Sequence, residues 1–278
     1  MRAKAYAKVN IGLRVNSRRN DGFHDIDSYF ARITLCDDIE LKIDDSDVTS
    51  VTVKGNAGYM EKGKKDLMEK AALLFSEAAS KHFTLEIAII KRIPVKAGLG
   101  GGSSDAASVL LSLNNHYGNI LSEESLFSIA LAVGSDVPFF ISQFNIAHVR
   151  GRGEIIEEAE GLSSYFGLLV FMPEHGIVTK SAYSYLDSLG RDDSLLPELR
   201  DRISSADFPN DFALIEHNLA DSISSIFPGS FVSLSGSGSS VYVLIGKGLD
   251  YEKIYRKAEE FALKNNLRLY PAQFLSNI

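Results

Sequence analysis

The stretch PVKAGLGGGSSD, residues 94–105, decides the fold class more than any other part of the chain. Glycine occupies positions 98, 100, 101 and 102, two serines follow, and an apolar helix pattern over 105–113 begins directly behind them. Glycine lets backbone N–H groups converge on a phosphate with no Cβ in the way, and a helix start adds unpaired donors. The pattern therefore predicts a phosphate-binding loop that leads into a helix.

Two familiar phosphate loops are excluded for this stretch. No Gly-Lys-Ser/Thr follows it, so it is not a Walker loop, and it lacks the GxGxxG spacing of the dinucleotide-binding folds. A flexible linker is the remaining alternative. The proline before the run and the helix pattern behind it favour a structured loop instead.

The composition indicates a globular chain with one large core or two modest ones. The chain has 278 residues, of which 45% are hydrophobic, and a formal net charge of −7. This charge argues against a nucleic-acid partner, so local cations would have to hold an anionic substrate. Four cations are candidates for this role, and at least one of them is expected to be an ordinary surface charge. The candidate cations are Lys8, Lys91, Arg92 and Lys96.

No segment resembles a targeting sequence or a membrane span. Charges are scattered through the first 19 residues, and the longest apolar runs, such as 166–172, are too short to cross a bilayer. The single cysteine, Cys36, excludes an internal disulfide, and a small buried side chain is its expected role. We therefore expect a cytoplasmic protein with no membrane partner, either a monomer or a homodimer.

Hydrophobic periodicity predicts strands and helices that are intermixed along the chain. Ser122 is a predicted N-cap, Gly134 a predicted helix end, and residues 134–138 a predicted loop. This order favours an α+β fold, with a second half that begins after residue 154. The predicted strands cover 5–15, 33–53, 83–90, 167–172, 231–235 and 240–245, and the predicted helices cover 66–81, 105–113, 122–133, a segment from about 180, and 251–265.

Six motifs together resemble one known superfamily, the GHMP kinases. This superfamily carries motifs near the N-terminus, after the first third and near the C-terminus, and the spacing here agrees. The resemblance covers nearly the whole chain, and GLGGGSS combined with DGFH is more specific than a single glycine loop. The motifs are AKVNIGL (7–13), DGFH (21–24), KRIPVKAGLGGGSSDAAS (91–108), GSDVPFF (134–140), RGRGE (150–154) and LSGSGSSVYV (234–243).

The resemblance implies a two-domain α+β GHMP kinase fold. Residues 1–154 would form a domain similar to ribosomal S5 domain 2, with the ATP phosphate loop and the catalytic residues, and residues 155–278 a ferredoxin-like domain. The implied activity is ATP- and Mg²⁺-dependent phosphorylation of the 2-hydroxyl of a cytidylyl-linked sugar alcohol, an isoprenoid precursor of the non-mevalonate route. The alternatives are a homoserine or mevalonate type of kinase, which has no cytosine to hold with DGFH, and a non-catalytic nucleotide-binding relative.

The same resemblance implies roles for individual residues. Asp136 would accept or orient the hydroxyl proton, and Lys8 beside it would keep that carboxylate ionised. A loop Asp is equally typical of a helix cap, and a Lys on a strand is typical of an exposed edge charge. Ser104 is the candidate ligand of Mg²⁺. The implied phosphate-binding residues are Pro94, Lys96, Ala97, Gly98, Leu99, Gly100, Gly101, Gly102, Ser103 and Ser104.

The implied substrate site is built around the cytosine base. Phe23 and Tyr183 would stack on the base and His24 would read its edge, with core packing as the alternative for the two rings. Asn10, Ser237 and Gly238 complete the implied site, and the run 235–239 is also typical of a strand-to-strand turn. The chain departs from the usual family pattern in three places. Position 23 is Phe where the family usually has Tyr, and position 96 is Lys where Gly is common. Residues 216–220 also differ from the usual family sequence.

Overall fold

The computed structural model describes residues 1–56, 66–174, 179–189, 193–215 and 218–275, so Glu216 and His217 of the altered segment lie outside it. The described chain forms intermixed strands and helices, and the predicted α+β class is confirmed. Two compact units are present. Unit 1 consists of Met1–Ala7, Cys36–Val95 and Gly100–Phe144, and unit 2 of Lys8–Leu35, Lys96–Leu99 and Asn145–Ile278. A domain boundary after residue 154 stays a prediction.

The first two strands are long and pair with each other. They are β1 (Arg2–Arg18) and β2 (His24–Asp45). Within unit 1, Asp38–Asp45 of β2 pairs antiparallel with β4 (Phe83–Ile90), and β3 (Ser50–Gly55) pairs parallel with β4. Every second residue of β4 is buried, as its alternating pattern predicts.

The described residues of unit 1 also form four helices. Ser122 caps α3 by accepting a hydrogen bond from the backbone N–H of Ser125, and Gly134 ends that helix, so both predictions are confirmed. The predicted loop over 134–138 is corrected at its end, because Val137 already begins a short helix and the fixed φ of Pro138 suits a first turn. The four helices are α1 (Leu67–Ala79), α2 (Gly101–His116), α3 (Glu123–Val133) and α4 (Val137–Ser142).

Unit 2 contains a four-stranded antiparallel sheet. Its strand order is β10 (Arg268–Ala272), β7 (Tyr165–Met172), β9 (Val241–Gly246) and β8 (Val232–Leu234). Leu169 of β7 and Val243 of β9 belong to a core that also includes Ala182, Ile223 and Ala258. These last three residues come from α5 (Thr179–Ser188), α6 (Asn218–Ile226) and α7 (Tyr251–Lys264), so all three helices contribute to this core, and α6 and α7 also contact the strands.

Two further strands of unit 2 lie beside the first part of β2. Residues Ile26–Ala31 of β2 pair antiparallel with β5 (Ile146–Gly151), which pairs with β6 (Ile155–Glu158). A 3₁₀ turn covers Asp211–Leu214.

Cys36 is half-buried, and burial raises the pKa of its thiol, which fits the expected role as a small packed side chain. Among the described helices, none has both the length and the apolar character needed to cross a membrane.

Candidate active site

Lys8 and Asn10 lie on the same face of β1, because they alternate with Ala7 and Val9 of the core. Lys8 is itself only 3% exposed. Its ammonium donates a hydrogen bond of 2.6 Å to Asn10 Oδ1 and lies 4.2 Å from the centre of the Phe30 ring. Lys8 is therefore a buried lysine held in one place, and not an exposed edge charge.

A chain of hydrogen bonds fixes the amide of Asn10. The Gly12 carbonyl can only accept, and the Ser28 hydroxyl donates to it over 2.6 Å. The Ser28 oxygen accepts in turn from Asn10 Nδ2 over 2.9 Å, which leaves Asn10 Oδ1 facing the ammonium of Lys8. Asn10, which the resemblance implies as a substrate residue, is 1% exposed and orients Lys8 in this structure.

Asp136 occupies the N-cap position of α4. An Asp there ordinarily caps the helix through its side chain. The carboxylate of Asp136 makes no capping hydrogen bond, so the helix-cap alternative does not account for this residue. Asp136 belongs to unit 1 and Lys8 to unit 2, and the pairing of the two stays a prediction.

Helix α2 begins without a side-chain cap. Its N-cap residue is Gly100, at φ +69°, and no acidic residue lies in its first turn. By contrast, α1, α3 and α7 each begin with a capping Asp or Ser and carry an acidic residue in the first turn. The first-turn N–H groups of α2, at Gly101, Gly102 and Ser103, have no acceptor within the helix. This end of α2 therefore suits an anion.

Gly98 has a packing role that the sequence did not indicate. The Gly98 carbonyl accepts a hydrogen bond of 2.9 Å from the Ser235 hydroxyl. A Cβ atom on Gly98 would overlap the Ser235 carbonyl oxygen. The Ser240 N–H donates to the Ala97 carbonyl over 3.3 Å. Ala97 and Gly98 thus lie against residues 235–240, which join β8 to β9, so the strand-to-strand turn is confirmed. Ser237 and Gly238 lie within this turn.

The rest of the glycine-rich loop contains both buried and exposed residues. Pro94, Ala97 and Leu99 are buried, whereas Lys96 is exposed and has φ +58°. Glycine is favoured in this left-handed region, which gives a physical reason for the usual glycine of the family at position 96. Ser103 is half-buried and Ser104 is buried, both at the start of α2.

A buried ion cluster in unit 1 joins residues that lie before and after the glycine-rich loop in the sequence. The ammonium of Lys91 donates to Asp37 Oδ2 and, over 2.7 Å, to Asp105 Oδ2. Asp37 Oδ1 accepts hydrogen bonds from the N–H groups of Arg92 and Ile93. Both acids have fully buried side chains, so the charge of Lys91 is matched by two carboxylates rather than left for a phosphate.

Asp105 is a carboxylate of this cluster whose pKa is raised by burial. Two carboxylates and one ammonium carry a net negative charge in the interior when all three are ionised. Burial raises the pKa of Asp105 and outweighs the opposing effect of Lys91, and Asp105 Oδ1 is a buried oxygen without a hydrogen-bond partner. Burial by itself would lower the pKa of Lys91, but the two acids together raise it.

Arg92 is a surface charge, as we expected for at least one of the four candidate cations. It is half exposed and pairs with Asp38 at 2.7 Å. Such exposed pairs contribute little to folding free energy.

His24, the first residue of β2, contacts α5 twice. Its Nε2 lies 2.6 Å from Asp187 Oδ1, and its ring stacks on Tyr183 with the ring centroids 4.9 Å apart. Phe23, in contrast, is 45% exposed and has the guanidinium of Arg152 at 4.7 Å from its ring centre. The structure thus brings His24 and Tyr183 together. The stacking of Phe23 and Tyr183 on one base stays a prediction.

The DGFH and RGRGE motifs contact each other within unit 2. Besides the contact of Arg152 with Phe23, Arg19 forms ion pairs with Asp25 at 2.8 Å and with Glu154 at 2.9 Å. The RGRGE motif therefore contacts both the DGFH motif and Arg19, which precedes that motif in the chain.

Several residues that shape the site were not predicted, and no local pattern identifies them. Asp37 is 54 residues before its partner Lys91, and Ser28 is 18 residues after Asn10. Asp187 offers the one usable signal, because it follows Tyr183 by four residues and so shares a side of α5 with it.

Comparison with known proteins places the fold in a class. Residues 66–143 match the family described as GHMP kinases N terminal domain. A crystal structure of the Methanococcus jannaschii mevalonate kinase superposes with a TM-score of 0.68 over 99% of this chain and 98% of its own, at 14% identity. The fold is that of the GHMP kinases.

Closer relatives define the family within this class. A Desulfotalea psychrophila protein named 4-diphosphocytidyl-2-C-methyl-D-erythritol kinase is 33% identical over 97% of this chain and 94% of its own length. A crystal structure of 4-(cytidine 5'-diphospho)-2C-methyl-D-erythritol kinase matches with a TM-score of 0.71 and 29% identity over 98% of both chains. The chain belongs to the 4-diphosphocytidyl-2-C-methyl-D-erythritol kinase family, and the predicted superfamily is confirmed.

Proposed function

We propose that this protein transfers the γ-phosphoryl group of ATP to the 2-hydroxyl of 4-diphosphocytidyl-2-C-methyl-D-erythritol, a step of the non-mevalonate route to isoprenoid precursors. The observation that carries the proposal is the 33% identity, over 97% of the chain, to a curated kinase of that name. The uncapped start of α2 after a glycine-rich loop supports ATP as the phosphoryl donor.

The reaction requires alignment, charge neutralisation and an acceptor for one proton. The substrate hydroxyl oxygen bonds to the γ-phosphorus while the bond from that phosphorus to the ADP oxygen breaks. We assign the released hydroxyl proton to the Asp136 carboxylate. The Lys8 ammonium stabilises negative charge on the attacking oxygen, and its burial strengthens this effect because the interior screens charge weakly.

The phosphates are assigned to Pro94, residues 96–104 and the first turn of α2. Where the chain is described, no group of three or more His, Cys, Asp or Glu could hold a metal ion. Mg²⁺ bound with a nucleotide keeps waters and phosphate oxygens as ligands, so it needs only one or two protein donors. The hydroxyl of Ser104, at the start of α2, is the ligand that we assign, and Mg²⁺ there would neutralise phosphate charge.

The remaining site residues belong to the second substrate. We assign Phe23, His24 and Tyr183 to the cytosine base, and Asn10, Ser237 and Gly238 to the rest of the substrate. The partner is thus a small molecule. A cytoplasmic location, a monomer or homodimer, and the lack of nucleic-acid and membrane partners are part of the same proposal, and the net charge of −7 supports the exclusion of nucleic acid.

A coupled ADP-release assay with three acceptors tests this function. We expect turnover with 4-diphosphocytidyl-2-C-methyl-D-erythritol and little with homoserine or mevalonate. Preference for either of those alcohols would establish the other type of kinase, and ADP release with none of them would establish a non-catalytic nucleotide-binding protein.

Two variants connect the turnover to the assigned residues. Asp136→Asn keeps the size of the side chain but removes the proton acceptor, so kcat should fall by about a hundredfold or more, with little change in ATP affinity. Lys8→Met should lower kcat as well, and the two losses should be less than additive because both residues act on one oxygen and its proton. Activity within a few-fold of the wild type in Asp136→Asn would contradict the assignment.

A further inference from the structure

The contact between Asp187 and His24 determines which ring nitrogen carries the proton. An ionised carboxylate only accepts hydrogen bonds, so the 2.6 Å contact of Asp187 Oδ1 with His24 Nε2 requires the proton on Nε2. In the neutral imidazole, Nδ1 is then the nitrogen with a free lone pair. The second nitrogen of His24 is therefore a hydrogen-bond acceptor.

This arrangement is held by a packed helix. Ala182 and Leu186 anchor α5 in the core of unit 2, at 3% and 4% exposure. The ring of Tyr183 rests edge-on against Phe212, with centroids 5.0 Å apart, and supports one face of His24. Asp187 and Tyr183 therefore contact the same ring, Asp187 at Nε2 and Tyr183 on one face.

Space for a ligand lies beside this ring. A cavity of about 170 Å³ is lined by His24, Leu186, Asp187 and residues 15–18 at the end of β1. Both His24 and Asp187 thus border a cavity rather than only packing against protein.

Cytosine and uracil differ at C4, where the substituent of the ring can form a hydrogen bond with such an acceptor. Cytosine carries an amino group at C4, which donates a hydrogen bond, whereas uracil carries a carbonyl oxygen there, which only accepts. A ring nitrogen with a free lone pair attracts the amino group and opposes the carbonyl oxygen. An acceptor at this position therefore selects 4-aminopyrimidines.

We propose that Asp187 is a positioning residue for base specificity: it holds His24 in the Nε2–H tautomer, so that Nδ1 accepts a hydrogen bond from the 4-amino group of cytosine. The inference rests on the proposed function, since it concerns the cytidylyl group of the same substrate. Asp187 acts through His24 and needs no contact with the base.

The variant Asp187→Asn tests the inference, because an amide can accept from or donate to Nε2 and no longer fixes the tautomer. The ratio of kcat/KM for the cytidylyl substrate to that for its uridylyl analogue should fall about tenfold, the effect of one hydrogen bond. The KM for ATP should stay constant, and Asp187→Glu should restore part of the ratio. Asp207→Asn is the matched control, because it removes the same charge from a carboxylate of unit 2 that binds Ser204, a residue outside the cavity lining.

Two measurements separate this inference from the proposed function. Calorimetric titration with CDP and UDP reports base preference without turnover, and ¹⁵N chemical shifts of the His24 ring report its tautomer. We expect the Nε2–H form in the wild type and a mixture of tautomers in Asp187→Asn. An Nδ1–H form in the wild type, or an unchanged CDP-to-UDP preference in Asp187→Asn, would overturn the inference. Wild-type protein that binds CDP but releases no ADP would overturn only the proposed function.

Discussion

The hydroxyl of Ser235 donates a hydrogen bond of 2.9 Å to the carbonyl of Gly98, and the two glycine-rich runs of the chain meet at this bond. A Cβ on Gly98 would overlap the Ser235 carbonyl, and a Cβ on Gly236 would lie 3.2 Å from the Gly98 carbonyl. Glycine at 98 and 236 is therefore explained by the approach of one backbone to another, without reference to phosphate.

Gly98→Ala should destabilise the protein by about 2–4 kcal/mol, because it adds a steric overlap to an unfavourable φ of +75°. Urea denaturation measures this loss. Gly102→Ala is the control: the nearest atom to its Cβ is Leu67 Cδ1 at 3.6 Å, and alanine in a helix raises stability by about 0.5–1 kcal/mol. Equal stability of the two variants would show that the contact with Ser235 does not constrain Gly98.

Gly102→Ala also tests the phosphate site, and it does so better than a change at Gly101. A Cβ on Gly101 would lie 2.9 Å from Ile93 Cγ2, so such a variant confuses folding with binding. A methyl group at Gly102 stands beside the first-turn N–H groups of α2, and the affinity for a non-hydrolysable ATP analogue should fall several-fold. Calorimetric titration measures this affinity. Wild-type affinity in the folded variant would place the phosphates elsewhere.

Lys96→Gly should stabilise the protein by about 0.5–1 kcal/mol, because glycine adopts the left-handed backbone of this position without the strain that a Cβ brings. Thermal unfolding should show a Tm about 2 °C higher. Lys96→Ala removes the same charge but keeps the Cβ, and should bring no gain. Equal effects of both variants would assign the change to the lysine charge instead of the backbone.

Asp105→Asn should gain stability relative to the wild type as the pH rises. Because burial raises the pKa of Asp105, the folded protein binds this proton more tightly than the unfolded chain. The resulting stability is complete below the ordinary carboxyl pKa of about 4 and is lost as the pH rises through the higher value of the folded state. Asparagine has no proton to lose, so the difference in unfolding free energy should increase with pH.

Denaturation of both proteins from acidic to slightly alkaline pH measures this difference. Lys91→Met removes the cation of the cluster instead of an acid. It leaves two buried carboxylates without their cation, so it should destabilise the folded protein by about 3–5 kcal/mol. A difference between Asp105→Asn and wild type that does not vary with pH would show that folding does not shift the pKa of Asp105.

Ser28→Ala should lower kcat about tenfold and leave both KM values nearly unchanged. The change removes the acceptor of Asn10 Nδ2, so the amide oxygen is no longer fixed toward Lys8. Ser28→Thr keeps the hydroxyl and should restore part of the rate. Steady-state kinetics measure the effect, and an unchanged kcat in Ser28→Ala would show that Asn10 holds Lys8 without help.

Local sequence patterns predicted the strands and helices that are specified by interactions between residues close together in the sequence. The strand over 83–90 and the helix between Ser122 and Gly134 are examples, because alternation and capping act between near neighbours. The strand Arg268–Ala272 was missed, since Pro271 cannot donate to a ladder and argues against a strand. It is tolerated because β10 lies at the edge of its sheet.

The candidate site was predicted only as far as its motifs extend. The resemblance identified Lys8 and the glycine loop, but their partners depend on how distant segments pack. Gly98 and Ser235 are 137 positions apart, and Lys91 and Asp37 are 54 apart. A glycine in the sequence also does not distinguish contact with a phosphate from contact with another backbone segment, because both require that no Cβ atom is present.

The hydrogen-bond chain behind Lys8 ends on a main-chain atom, the carbonyl of Gly12. Gly12 has φ +70°, and a Cβ there would lie 3.0 Å from Leu196 Cδ1. Every amino acid supplies a carbonyl, so no substitution can delete this terminal acceptor, and a substitution can only displace it. One position able to misdirect the lysine thus has no side chain, and a mutational survey that ranks positions by lost side-chain contacts would pass over it.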